Sequence, residues 1–380
     1  MKPVQPLRRI AILGSRGYPS TYGGYETLVR IVAPMWVEQG LDVTVYCRSR
    51  FEGRRAWLQD GVHCRWTPGV ENKSASTLTY GLTSHLDASR RKFDAALVLN
   101  VANGFFLPLL NRSGIGCALN TDGIEWERNH WGSNAQRVIR AGARMGAKRA
   151  DVLVADSEAI ADIWRSELEV ESEFVPYGAP VLEGLGSDRV DQFGLKPGRY
   201  ALVVARLRPE NNVELILDAI GSEGDVPAVI VGDANFESPT QRRLEALSRD
   251  GAIVWLGHVS DQELLNQLWA NCGVYVHGHS VGGTNPGLLQ AMGAGAPVLA
   301  LDTPFNREVI GNQEQLFPAE ALTLGARIRQ ILSDRERAEQ WVERSKATIV
   351  DRYSWQDVAD CYLEALHLAR HRRKETGDRS

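Results

Sequence analysis

Arg9-Ile10-Ala11-Ile12-Leu13-Gly14-Ser15-Arg16-Gly17-Tyr18-Pro19-Ser20-Thr21-Tyr22-Gly23-Gly24-Tyr25-Glu26 runs from an apolar segment through a glycine-rich turn into a helical pattern. A short apolar run bounded by glycine fits a strand buried on both faces, and residues 24–39 then read as a helix. The same alternation continues outward. Val43-Thr44-Val45-Tyr46, Ala95-Ala96-Leu97-Val98-Leu99, Cys117-Ala118-Leu119-Asn120 and Val152-Leu153-Val154-Ala155 read as further strands, with helical stretches between them. Strands alternating with longer helical patterns indicate βαβ units and a doubly wound parallel sheet.

A second series follows Tyr177-Gly178-Ala179-Pro180 to Lys196-Pro197-Gly198, a Gly/Pro-bearing stretch that reads as a linker. Tyr200-Ala201-Leu202-Val203-Val204 opens it. Val213, Ile216, Leu217 and Ile220 then form one apolar stripe at helical spacing. Strands are expected at Ala228–Val231, Ile253–Leu256, Val274–Val276 and Val298–Leu301. Ser260-Asp261-Gln262-Glu263 reads as a capping box opening a helix, and helices are expected near 319–347 and 355–373. The last of these carries Tyr362, Leu363 and Leu366. The expected fold class is therefore α/β, two Rossmann-like doubly wound domains facing a central cleft. Ligands of open α/β sheets bind outside the carboxyl ends of the strands.

Composition limits the function classes. In 380 residues, 43 Lys+Arg stand against 47 Asp+Glu, a net charge of −4, so no global positive field exists to recruit nucleic acid. No run approaches the roughly 18–20 apolar residues of a membrane span, and the first residues lack a signal-peptide apolar core. A cytoplasmic protein is expected. Cys47, Cys64, Cys117, Cys272 and Cys361 are scattered and never in CxxC spacing, which implies reduced thiols and no zinc site.

Two glycine-rich segments are suited to phosphate. Gly23 and Gly24 precede a helix, where bare N–H groups and the helix dipole favour an anion, and Arg16 adds a charge. The spacing is not GxGxxG, which argues against a dinucleotide dehydrogenase. In His277-Gly278-His279-Ser280-Val281-Gly282-Gly283-Thr284-Asn285-Pro286, a strand enters a Gly-rich loop and then a helix, giving donors around Gly283, Thr284 and Asn285. Arg206, just past the strand that begins at Tyr200, can hold phosphate oxygens bidentately.

These segments together, with Asp122-Gly123-Ile124-Glu125-Trp126, Ala155-Asp156-Ser157, Val175-Pro176-Tyr177-Gly178, Arg206-Leu207-Arg208-Pro209-Glu210-Asn211-Asn212 and Gly257-His258-Val259-Ser260-Asp261, resemble a family 4 GT-B glycosyltransferase over nearly the whole chain. Within that family the sequence most resembles the bacterial rhamnosyltransferase subgroup of capsule and cell-wall polysaccharide synthesis. The resemblance implies a retaining, metal-independent transfer of a sugar from a nucleotide-sugar donor, with no cofactor. Residues 1–180, joined by a C-terminal helix at 355–380, would form the acceptor domain and 190–350 the nucleotide-sugar domain.

By position, Arg206 would stabilise the departing nucleoside diphosphate, Gly23 and Gly24 would approach the diphosphate, and the backbone at His258 and Val259 would receive the base. Thr284 and Asn285 would lie by the phosphates, Gln290 near the nucleoside sugar, Asp122 against sugar and acceptor, and Tyr177 at the interdomain hinge. Many members carry two acidic residues eight apart, where this sequence has Gly282 and Gln290. A neutral Gln290 suits a deoxyribose, hence dTDP-rhamnose as donor. The Lys that often accompanies the phosphate Arg is replaced by Asn211 or Asn212. Rival readings are a nucleotide-sugar-binding pseudoenzyme without turnover and a sugar-nucleotide epimerase.

The acceptor is read from charge. Arg137, Arg140, Arg144 and Lys148 share one helix face, suited to docking on an anionic membrane surface, and residues 1–185 hold 22 Lys+Arg against 20 Asp+Glu. Both agree with a lipid-linked glycan acceptor at the inner face of the plasma membrane. His371-Arg372-Arg373-Lys374 reads as a frayed basic tail.

Overall fold

The computed structural model describes residues 6–20, 23–71, 75–121, 123, 133–222, 226–233 and 238–377. The chain divides into two compact units, residues 1–177 with 355–380, and residues 178–354.

The first unit contains β1 (Arg9–Leu13), α1 (Gly24–Glu38), β2 (Asp42–Cys47), β3 (Ala56–Gln59), β4 (Val62–Trp66), α2 (Ser76–Ser89), β5 (Ala95–Val98), α3 (Leu107–Arg112), β6 (Gly116–Asn120), α4 (Ser133–Arg149), β7 (Val152–Ala155), α5 (Glu158–Leu168) and β8 (Glu173–Phe174). The sheet order is β3-β4-β2-β1-β5-β6-β7-β8, parallel except for the antiparallel β3–β4 pair at one edge. Because β1 pairs with both β2 and β5, the strand order reverses beside it, and the turn after Leu13 leaves the sheet at a topological switch point. Ile10, Ala11, Ile12 and Leu13 are fully buried, as the uninterrupted apolar run requires.

The second unit contains α6 (Asp188–Asp191), β9 (Ala201–Val204), α7 (Val213–Ser222), β10 (Ala228–Val231), α8 (Pro239–Arg249), β11 (Val254–Gly257), α9 (Gln262–Asn271), β12 (Val274–His277), α10 (Pro286–Ala294), β13 (Val298–Leu301), α11 (Pro304–Ile310), β14 (Leu316–Phe317), α12 (Ala321–Ser333) and α13 (Arg335–Arg352). Its parallel sheet runs β11-β10-β9-β12-β13-β14. Here β9 lies between β10 and β12, so the turns after Val204 and His277 flank the second switch point. The stripe of Val213, Ile216, Leu217 and Ile220 is buried against this sheet, each such side chain stabilising by about 1.5–3 kcal/mol.

Helix α14 (Trp355–Gly377) belongs to the first unit, as the resemblance implies for the last helix. The Trp36 indole N–H donates to the Ala359 carbonyl at 3.1 Å, and Asn120 Nδ2 donates to the Tyr362 hydroxyl oxygen at 2.6 Å. Arg370 pairs with Asp94 at 2.7 Å and Arg373 with Asp151 at 2.7 Å. The expectation of a frayed tail is thus corrected: Arg372 also donates to the Asp151 carbonyl, and two of the four residues 371–374 are tied to it.

Three further expectations are corrected. Residues 178–198 are not a loose linker but packed chain of the second unit. Leu182 N donates to the Gly293 carbonyl at 2.9 Å, Gly198 N to Asn271 O at 2.8 Å, and Val190 is buried. The cap of α9 is Asp261, not Ser260; its carboxylate accepts from Glu263 N and Leu264 N. The helical pattern near 319–347 is two helices broken at Asp334, whose side chain caps the second by accepting from Arg337 N.

His85 makes one part of this core sensitive to acid. It is fully buried in α2, with Nδ1 2.7 Å from the Gly81 carbonyl and Nε2 without a partner among the described residues. Burial lowers its pKa from 6.5 to about 4. Between those values the unfolded chain binds the proton and the folded chain does not. Stability is therefore intact above about pH 6.5 and falls as pH drops towards 4, by about 3 kcal/mol for this residue. Denaturant melts of the wild type and His85→Gln across that window test this. The variant should show a shallower pH slope, and identical slopes would overturn the assignment.

Candidate functional site

The second unit assembles its loops by side-chain bonds to backbone. Arg206 follows β9 by two residues and is exposed, with no hydrogen bond or ion pair from its guanidinium to the described residues. Its carbonyl accepts from Asn211 Nδ2 at 2.7 Å and from Arg208 N at 2.7 Å, which fixes the turn that presents the side chain. Asn212, left-handed at φ 52°, donates from Nδ2 to the Gly278 carbonyl at 2.8 Å. The Glu210 carbonyl accepts from both the N–H and the hydroxyl of Ser280 at 2.9 Å. The Arg206 turn and the loop after β12 are thereby stitched together. Asn306 adds a brace, donating to the carbonyls of His279 and Leu301 at 3.0 and 2.8 Å.

Beyond those stitches, Gly282 takes φ 124° and Thr284 is buried. Asn285 caps α10, its Oδ1 accepting from Gly287 N at 2.9 Å, with Pro286 at the first helical position. Gly283, Thr284 and Asn285 thus stand at a helix start, and Gln290 lies farther along the same helix, half-buried. His258, exposed, and Val259 follow β11, on the far side of β10 from β9. Asn211 and Asn212 occupy the place where the resemblance leads one to expect a lysine. The structure uses both amides to hold loops, so this chain replaces a charge with a brace.

The histidines of the loop carry no assigned role in the sequence reading. His277 and His279 stack with ring centroids 4.3 Å apart, and the Tyr275 hydroxyl lies 3.2 Å from His277 Nδ1. Burial, reinforced by His279, holds His277 neutral well below its ordinary range.

In the first unit, Arg16 is exposed in the turn after β1, and its carbonyl accepts from Arg48 N at 3.0 Å. Gly23 is the extended cap of α1, its carbonyl accepting from Thr27 N at 3.0 Å, and Gly24 opens the helix. One residue there escapes the sequence reading. Glu26 is buried in the first turn of α1, accepts from Arg16 N at 2.9 Å, and reaches within 3.2 Å of where a Gly23 Cβ would stand. A carboxylate of the chain itself therefore already faces the positive helix end that Gly23 and Gly24 were expected to offer a diphosphate. Its signal was a Glu three residues after the cap, the acidic half of a capping box.

Tyr177, the last residue of the first unit before Gly178, is only 6% exposed. Asp122 lies outside the described residues. On α4, Arg137, Arg140, Arg144 and Lys148 are all exposed, with Arg140 paired to Glu167 at 3.0 Å. Among the described residues no group of His, Cys, Asp or Glu is placed to hold a metal, and no helix is long and apolar enough to cross a membrane. Cys47, Cys64, Cys117 and Cys272 are buried free thiols.

Residues 189–348 match the family Glycosyl transferases group 1, and residues 7–180 match a domain of unknown function, DUF1972. The match to group 1 glycosyltransferases is therefore confined to residues 189–348 of this chain. It is 26% identical over 176 residues to O-antigen chain mannosyltransferase B of Escherichia coli, covering 44% of this chain. The chain matches about half of that relative's length, 46%. Sucrose-phosphate synthase of Thermosynechococcus elongatus is similar in structure, with a TM-score of 0.79 at 14% identity, covering 93% of this chain and 96% of that one. So is Anabaena HepE in complex with UDP, with a TM-score of 0.74 at 16% identity, covering 95% and 99%. At such identities these likenesses give the fold, which is GT-B.

Proposed function

We propose that this group 1 glycosyltransferase chain moves a sugar from a nucleotide-sugar donor to a lipid-linked or polysaccharide acceptor in cell-surface glycan synthesis. The observation that carries the reading is the Arg206 turn, stitched to the loop that opens α10 at the switch point of the second unit's sheet. Breaking a sugar–phosphate bond builds negative charge on the leaving diphosphate, and preorganised donors at that charge supply most of the rate. Arg206 and the start of α10 at Thr284 and Asn285 are the donors, and His258, Val259 and Gln290 are the residues proposed for the base and the nucleoside sugar. UDP and UDP-glucose complexes of the similar HepE structure support a nucleotide-sugar donor.

L-Rhamnose from dTDP-rhamnose is the donor we favour, because a neutral Gln290 suits a single deoxyribose hydroxyl. The reaction is proposed to retain configuration and to need no metal, with the acceptor proton passing to the β-phosphate oxygen or to Asp122. A thermal-shift panel of dTDP, UDP, GDP and ADP with their sugars tests the donor. A ligand at a hundred times its Kd adds about 2.7 kcal/mol of stability. Selective stabilisation by thymidine nucleotides is expected, preference for UDP would overturn the dTDP assignment, and no shift with any would overturn the function.

The exposed basic face of α4 is the proposed docking surface for anionic lipid, each charge contributing about 1 kcal/mol near such a surface. Replacing Arg137, Arg144 and Lys148 by Glu should abolish co-sedimentation with anionic vesicles at low salt. Unchanged co-sedimentation would rule out this face.

A further inference from the structure

Arg48 is a cation in the first unit that the sequence reading leaves without a role. It follows the last residue of β2, at the carboxyl edge of the sheet, and is half-buried. Its guanidinium stacks over the Tyr80 ring at 5.6 Å, and its Nε is buried without a hydrogen-bond partner among the described residues. Ser15, Thr67, Thr77 and Tyr80 line a narrow cleft with it, between the ends of β1, β2 and β4 and the first turns of α2. A buried guanidinium nitrogen left unmatched is costly, by about 1–3 kcal/mol, unless something supplies an acceptor.

The surrounding charge does not supply one. Arg16 lies close enough to repel Arg48, and burial with that repulsion lowers the Arg48 pKa. Glu26 and Glu71 are the acidic groups nearby, and both are engaged: Glu26 by Arg16 N and Glu71 by the Tyr80 hydroxyl. The result is a cation stacked on an aromatic ring beside a cleft lined by hydroxyls, with one buried donor left over among the described residues. That is the chemistry of a phosphate site, in which a guanidinium takes oxygens bidentately and hydroxyls complete the shell.

We propose that Arg48, with the hydroxyls of Ser15, Thr67 and Thr77, binds a phosphate group of the acceptor over the mouth of this cleft. The identity of the ligand as acceptor rests on the glycosyltransferase reading; the phosphate site itself does not. The phosphate belongs either to a soluble glycosyl phosphate or to a lipid-linked diphosphate, and the two sources share the chemistry that Arg48 recognises.

The test is calorimetric titration of the full chain, saturated with the nucleoside diphosphate that stabilises it most, against inorganic pyrophosphate. A parallel arm measures co-sedimentation with phosphatidylcholine vesicles carrying geranylgeranyl diphosphate. Arg48→Gln should weaken binding at least about tenfold, as expected for a lost charged hydrogen bond, while Arg48→Lys keeps part of it. Loss in both arms, or in the pyrophosphate arm alone, supports the site with a soluble phosphate able to fill it; loss in the vesicle arm alone supports it with a lipid-linked one. If Arg48→Gln melts like the wild type and weakens binding in neither arm, the proposal is overturned. Should no nucleotide stabilise the chain, the titration is run without one: the glycosyltransferase reading then fails while the Arg48 result still decides the site.

Discussion

Replacing Arg206 by alanine is expected to lower sugar transfer by about 10²–10³-fold while leaving the melting temperature where it was. The first half follows from charge. A guanidinium fixed before the reaction begins spends nothing on reorganisation when the leaving diphosphate becomes negative, and one such donor removed from a preorganised site typically carries that much rate. The second half follows from geometry. The side chain is exposed and holds nothing among the described residues; the turn is held through its backbone carbonyl, which alanine retains. Arg206→Lys should recover part of the rate, since an ammonium supplies charge without the bidentate fork. Turnover of a stabilising nucleotide sugar, measured beside thermal melts, separates the two effects. Near-normal turnover in Arg206→Ala would remove this residue from the mechanism, and a large fall in melting temperature would mean that the side chain serves the fold.

The strands of both sheets were legible because each is an apolar run between breakers, and parallel strands buried on both faces leave that trace. The β3–β4 hairpin escaped because its pattern is half exposed, although Asp60-Gly61, both at positive φ, is the dipeptide that closes a two-residue hairpin turn. Strands β8 and β14 are two residues each, too short to print a period on the sequence.

The candidate site was legible where backbone chemistry is local. Gly282 and Asn285-Pro286 announce a turn and a helix start within a few residues of themselves. The roles of Asn212 and Ser280 were not, because each depends on a carbonyl delivered by another loop, 66 residues away for Asn212 and 70 for Ser280. Arg48 shows the same limit. That its Nε lacks an acceptor among the described residues is a property of its neighbours, and nothing in Tyr46-Cys47-Arg48-Ser49 states which side chains will surround it. A sequence thus names residues able to do chemistry, whereas the pairing left undone after folding names those still available for it.

Gly14→Ala should cost about 2–5 kcal/mol, a large share of an ordinary domain's stability. Two effects add. Gly14 sits at φ 94°, where an L side chain is strained by about 1–2 kcal/mol. Its new Cβ would also stand 2.0 Å from the Leu99 carbonyl oxygen and 2.8 Å from Asn103 Nδ2. Those two groups are bonded to each other at 2.7 Å, and Asn103 is fully buried, so relief of the clash breaks a buried hydrogen bond worth a further 1–3 kcal/mol by order of magnitude, about the cost of an unmatched group. Gly53→Ala isolates the first effect, since Gly53 also has positive φ, 75°, with nothing within 4 Å of the added carbon. Urea melts of the two variants should therefore differ by about 1–3 kcal/mol, with Gly14→Ala the weaker. Equal losses would mean that the backbone after β1 moves aside freely, and then the turn that presents Ser15 and Arg16 is not held by the close approach of Gly14 to the end of β5.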